Sequence, residues 1–234
     1  MASRAAASSA VQLNTVSTVQ AAANALRELI LDGQLEPGTR LREAEFAERL
    51  GIARHSFRAA TQILIGDGML RREPHRGVQV PVMTREDIVD TFRLRAALEL
   101  EAVRIVIAAR LVPDAAREAV EELTSLGDDA PWREVVEPDM RFHQAIIDAT
   151  GSERIARTYA GVQAEIAMCM VHQRPLYDRP SQVAAEHEEL LEVIVAKDQR
   201  RAARLFRTHL SDAAQRLSDS AEAREGRSPE KVVL

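Results

Sequence analysis

The chain has 234 residues, of which 46% are hydrophobic, 29% charged and only 3% aromatic. That apolar fraction excludes wholesale disorder, and 10 Gly with 9 Pro speak against a turn-rich all-β protein. The single cysteine, Cys169, excludes an internal disulfide and any multi-cysteine metal site. It lies in the apolar run AEIAMCMV and reads as a buried, inert thiol.

No apolar stretch is long enough for a membrane span, and the first ten residues lack the apolar region of a signal peptide. Residues 1–14 read as a flexible arm, and a cytoplasmic protein is expected. The net charge of −5 is unevenly spread. Residues 1–83 hold 10 Lys and Arg against 8 Asp and Glu, a net of +2, and the rest holds 21 against 28, a net of −7. A basic front and an acidic back suggest two domains, 15–83 and 84–222, with different partners.

The first helical pattern covers 15–31. Val19, Ala22, Ala23, Leu26, Ile30 and Leu31 recur at three- and four-residue spacing, and Gly33 follows as a stop signal. LEPGTRL is a Pro-Gly turn leading into a short extended piece. EAEFAERLG is a second helix, with Ala44, Phe46, Ala47 and Leu50 expected to face inward. After a very short turn a third helix runs from about 54 to 67, with Phe57, Ala60, Ile63 and Leu64 on its apolar face. MLRREPHRGVQVPV then holds two short extended runs, a small β-hairpin. Helix, helix, tight turn, helix and hairpin make a winged helix-turn-helix.

From Thr84 the pattern is helical nearly throughout. TRED places Thr84 at an N-cap with Asp87 three positions on, a variant capping box. Helices are predicted over 84–110, 114–126, 130–149, 152–173, 180–196 and 198–221. They are punctuated by Pro113, Pro131, Gly151 and Pro180. The fold class is therefore mainly α: a winged helix-turn-helix followed by an all-α bundle. Residues 223–234 have no apolar stripe and read as a disordered tail.

Asp139 and His143 are one helical turn apart and share a face. His187 and His209 lie on two helices joined by a short turn, each about eleven residues from it, so they sit at one height. All four can converge in the bundle core. One carboxylate and three imidazoles suit Zn, Ni, Mn or Fe(II) and leave room for a ligand with its own oxygens. The opposing reading is a local Asp–His ion pair and ordinary surface histidines. His172 precedes the loop QRPLYDRP and reads as exposed. Arg95 and Glu99 are one turn apart and suit a simple ion pair. Alternatively, Arg93 or Arg95 turns inward and holds an acidic ligand bidentately. Periodicity does not choose between these two arginines.

The stretch from LRELILDGQ to HRGVQV resembles the winged-helix domain of the GntR family of bacterial transcription regulators. RAALE, DMRFH, AAEHEELL and RTHL are similar to the helical ligand-binding domain, FCD, of that family's FadR-type branch. The resemblance covers about residues 17–221. It implies a homodimeric, ligand-responsive regulator of double-stranded DNA, most often a repressor, and not an enzyme. It also implies a divalent metal (Zn, Ni or Mn) on Asp139, His143, His187 and His209, and a small carboxylate effector beside Arg93 or Arg95.

ARHSFRAAT departs from the family's S-R-T-P-V-R-E-A-L pattern. Arg54, Arg58 and Ala60 match, whereas Ala53 replaces a serine cap worth about 1 kcal/mol. His55 or Ser56 is then expected to stand in for the lost hydroxyl. Arg54 and Arg58 share a helix face and can reach guanine edges or phosphates. Arg40 or Arg42 suits a phosphate, and Arg76 with Gly77 at the wing tip suits the minor groove. For all these arginines the opposing reading is a solvated surface. A metalloenzyme would use the same Asp and His set, but no acid or base stands out beside it and the winged helix would be unexplained. A pure metal sensor is the third reading.

Overall fold

The computed structural model describes residues 17–73, 77–172 and 179–226. The arm over 1–14, the wing-tip residue Arg76 and the tail from 227 lie outside the described residues.

Helix α1 (Thr18–Leu31) begins later than its periodicity, because Ser17 supplies an N-cap oxygen to the Gln20 N–H. Its stripe of Ala22, Ala23, Leu26 and Ile30 is buried. Next come β1 (Arg40–Leu41), α2 (Glu43–Arg49), α3 (Arg54–Gly66), β2 (Arg71–Glu73) and β3 (Gly77–Gln79). The expected hairpin is present as antiparallel β2 and β3, with Arg72 opposite Val78. The extended piece of LEPGTRL adds β1 to its other edge, Leu41 opposite Val78, giving a sheet ordered β1-β3-β2. A bare two-stranded hairpin is marginal in water, and the third strand satisfies one open edge. Leu26, Ile30, Phe46, Phe57, Leu64, Met69, Leu70 and Val80 close this domain's core.

The bundle comprises α4 (Arg85–Ala108), α5 (Asp114–Ser125), α6 (Trp132–Asp148), α7 (Glu153–His172), α8 (Pro180–Val195) and α9 (Gln199–Glu225). The Thr84 capping box forms as read: Asp87 N–H donates to Thr84 Oγ1 at 3.2 Å, and Thr84 N–H donates to Asp87 Oδ2 at 3.0 Å. Pro138 lies inside α6 and removes the N–H that the Glu134 carbonyl would accept, one residue before Asp139. Helix α9 continues to Glu225 and ends on left-handed Gly226, so the tail does not begin at 223. Burial of Ala221 and a 3.0 Å contact of Glu222 with Arg85 of α4 hold this last turn.

Val103, Val106, Phe142, Ile146, Leu190, Val193 and Phe206 belong to the main bundle core. Ile88, Phe92, Cys169, Ala214 and Leu217 form a second cluster, with Cys169 buried as expected. Met168 of α7 is fully buried in the core of the winged domain, so the two domains share packing. Among the described residues no helix is long and apolar enough to cross a membrane.

Candidate metal centre and nucleic-acid interface

Helix α6 turns Asp139 and His143 inward, α8 contributes His187 and α9 contributes His209; all four are buried. The ring centroids lie 5.3 Å apart for His143–His187 and His143–His209, and 5.0 Å for His187–His209. One ring nitrogen from each histidine lies within 4.8 Å of the others. Each Nδ1 is already engaged. His143 meets Glu99 Oε2 at 2.7 Å, His187 the Val183 carbonyl oxygen at 2.8 Å, and His209 Glu186 Oε2 at 3.0 Å. These oxygens accept, so each Nδ1 donates its hydrogen and each neutral ring keeps its lone pair on Nε2.

Nε2 of His143 and of His187 are buried without a hydrogen-bond partner, and so is Asp139 Oδ1. Asp139 Oδ2 lies 3.2 Å from His187 Nε2. Two facing acceptors at that distance favour a proton or a cation between them. Burial alone would depress His187, but the Asp139 carboxylate outweighs it and raises the pKa. Burial pulls His143 down to about 4 and lowers His209, keeping both in the neutral, ligating form. The three imidazoles, with Asp139 meeting them through His187, therefore fit a divalent metal as a donor set. The chemistry of that set does not distinguish Zn from Ni or Mn.

Beside the histidines lies a fully buried ionic network on α4. Glu99 accepts from Arg95 Nε at 2.7 Å, from the Tyr159 hydroxyl at 2.8 Å and from His143 Nδ1 at 2.7 Å. Burial opposes its charged form, but Arg95 and His143 prevail and hold the carboxyl far below the usual range. Asp139 is depressed likewise: burial opposes, and His187 prevails. Arg95 is 2% exposed and has the Phe92 ring 5.2 Å from its guanidinium. Its Nη2 has no hydrogen-bond partner. Of the two candidate arginines, then, Arg95 is inside. Arg93 is exposed. Two residues rotate a helical position by about 200°, so Arg93 faces away from the cluster and is not placed to hold a ligand there.

In the winged domain α3 exposes Arg54, His55 and Arg58 on one face, joined by Ala59 and Gln62. Ser56 is not part of that face: it is 8% exposed and turned toward the domain interior. Ala53 occupies the N-cap and makes no side-chain cap bond. Arg40 lies exposed on β1, and Arg42 is exposed at the N-cap of α2. Gly77 opens β3 at φ +83°, a conformation that favours glycine at the turn. Arg58 Nε donates to Glu43 Oε1 at 2.7 Å.

Sequence reasoning did not find Tyr159, Glu186 or Glu43, nor the contact of Glu99 with His143. Tyr159 offered a signal as one of only two tyrosines, set in a helical run. Glu186 and Glu43 offered none among many surface carboxylates.

Comparison with known proteins supplies the remaining observations. Residues 18–80 match the family of bacterial regulatory proteins named gntR, and residues 90–212 match the FCD domain. The HTH-type transcriptional regulator YdhC of Bacillus subtilis is 24% identical over 83% of this chain and 88% of its own length. BphR of Paraburkholderia xenovorans, likewise described as an HTH-type transcriptional regulator, is 27% identical over 86% and 85%. A transcriptional regulator GntR from Rhodococcus sp. RHA1 superposes with a TM-score of 0.73 at 26% identity, covering 86% of this chain and 98% of that one. E. coli McbR/YncC shares the fold, with a TM-score of 0.67 at 22% identity over 86% and 99%. A winged helix-turn-helix that exposes arginines, joined to a helical domain of this kind, makes a ligand-responsive transcriptional regulator rather than a catalyst. The chain belongs to the GntR family of bacterial regulatory proteins, with an FCD domain behind its DNA-binding domain.

Proposed function

We propose that this protein is a homodimeric repressor that binds an imperfectly palindromic operator and is controlled by a small carboxylate held at the histidine centre. One observation carries the reading. The fully buried Arg95 keeps an unpartnered Nη2 and is joined through Glu99 to His143, one of three clustered imidazoles with Nδ1 engaged and Nε2 left for a ligand. With neutral imidazoles, Arg95 opposes Glu99 and Asp139, so the centre carries one negative charge in excess. Asp139, His143, His187 and His209 would hold a divalent metal, which would reverse that sign and offer open positions to oxygen ligands. The Arg95 Nη2 would donate to a monocarboxylate bound there.

At the other end, Arg54 and Arg58 enter the major groove and Arg40 or Arg42 takes a phosphate. Two winged domains related by a two-fold read two half-sites. Thr91, one turn before Arg95, donates to Glu165 Oε2 of α7 at 3.1 Å. Glu165 in turn packs against Gly68 at the end of α3. A carboxylate that moves α4 relative to α7 therefore moves the ground under the recognition helix. It shifts DNA binding only by its differential affinity for the two states.

The test is elemental analysis of protein never exposed to chelator, followed by DNA binding with and without a panel of small carboxylates. We expect about one divalent ion per chain and a carboxylate that weakens operator binding. Protein without metal, or indifferent to every carboxylate, overturns the control mechanism.

A further inference from the structure

Glu43 is the first residue of α2 and its carboxylate sits among the arginines of the DNA-binding face. Arg58 of α3 donates to it through Nε at 2.7 Å. That hydrogen bond, and the nearby charges of Arg58, Arg54 and Arg72, hold the carboxyl below its usual range. Arg54 and Arg58 come from α3, and Arg72 from wing strand β2, so one carboxylate stands between helix and wing. Arg58 is 69% exposed and Glu43 35%, so the pair lies on open surface. An exposed ion pair of this kind contributes little to stability. Its position needs another account.

A free arginine of this exposure samples many rotamers and loses that freedom when it docks on a base. A bond through Nε fixes the plane of the guanidinium and leaves its Nη1–Nη2 edge for a bidentate contact. That edge matches guanine O6 and N7 in the major groove. The carboxylate has a second effect. It repels phosphates, so it weakens attachment to any duplex regardless of sequence.

We propose that Glu43 is a specificity-determining positioning residue: it orients Arg58 for a guanine and lowers attachment to non-operator DNA. The inference rests on the DNA-binding reading above. Full-length protein is first allowed to select duplexes from a random-sequence pool. Affinities are then measured for the selected duplex and for its scrambled form at several salt concentrations. Glu43→Ala is expected to lower the selected-to-scrambled ratio about tenfold and to tighten binding to the scrambled duplex several-fold at low salt. Glu43→Gln removes the charge but keeps a neutral acceptor. It should tighten scrambled binding equally while retaining most of the ratio. In an Arg58→Ala background, Glu43→Ala should not lower the ratio further, because the two residues act as one unit. A ratio unchanged by Glu43→Ala, or a full additional loss in the Arg58→Ala background, overturns the proposal and leaves the DNA-binding reading intact. Failure of the unaltered protein to select any sequence overturns both. Circular dichroism of each variant separates these outcomes from unfolding.

Discussion

At Glu99 a single carboxylate takes three hydrogen bonds inside the bundle, from a guanidinium, a phenol and an imidazole. Removing its charge takes from the buried Arg95 its hydrogen-bonded counter-ion and leaves only the Asp139 carboxylate opposing it, and breaking a buried pair from one side costs about 3–5 kcal/mol. Glu99→Gln is therefore expected to lower the urea midpoint by an amount in that range, with an unchanged slope. Tyr159→Phe removes one hydrogen bond to a charged group and should cost less, about 1.5–3 kcal/mol. The reverse ranking would show that Arg95 finds its main compensation elsewhere. Glu99 also fixes the His143 tautomer, so Glu99→Gln should weaken metal binding roughly 10–100-fold. A competition titration with a chromogenic chelator reads that loss directly.

Ser17 before α1 and Thr84 before α4 cap their helices with side-chain oxygens at similar extended dihedrals. A third start, Ala53 before α3, has φ −69° and ψ 147° but no side-chain oxygen. The backbone there is already disposed for a cap. Ala53→Ser is expected to raise stability by about 0.5–1 kcal/mol, and Thr84→Ala to lower it by about 1 kcal/mol. Thermal melts of the two variants should move in opposite directions. A neutral Ala53→Ser would mean that the α3 terminus is solvated as effectively by water as by a hydroxyl.

The two domains of the molecule are joined by more than a linker. Met168 of α7 completes the winged-domain core, and Glu165 one turn earlier lies over Gly68. Gly68 has φ +74°, and a Cβ there would stand 2.6 Å from Glu165 Cγ. Gly68→Ala thus meets two obstacles: a left-handed backbone costing about 1 kcal/mol and a steric clash. The Gly68→Ala, Glu165→Ala double variant should recover the steric part and retain the backbone part, a non-additivity that urea unfolding can measure. Equal losses in single and double variants would place the whole cost in the backbone. The same separation of parts governs the metal centre. The residues proposed to hold metal lie on α6, α8 and α9, and those proposed to contact DNA lie on β1, at the N-cap of α2 and on α3. His187→Ala should lose metal, melt at lower temperature and no longer respond to carboxylate, while binding the selected duplex as before. Carboxylate response that persists in metal-free protein would assign ligand recognition to Arg95 alone.

Periodicity and capping were enough to draw nearly every helix of this chain, because each apolar stripe repeats locally at the helical period and each end carries its own signal. The Thr84–Asp87 box is read from four consecutive letters. The level approach of His187 and His209 was also legible, since equal distances from one turn fix equal heights on neighbouring helices. What the letters left open is whatever depends on rotation about a helix axis or on contacts between distant segments. Arg93 and Arg95 both sit near apolar positions, and only the packing of α4 decides that Arg95 goes in and Arg93 out. Ser56 looked available to DNA until the fold buried it. The pairing of β1 with β3, of Glu99 with Tyr159 across 60 residues and of Thr91 with Glu165 across 74 carries no local signature. Such contacts exist only once the chain has closed on itself, so the tertiary structure alone decides them.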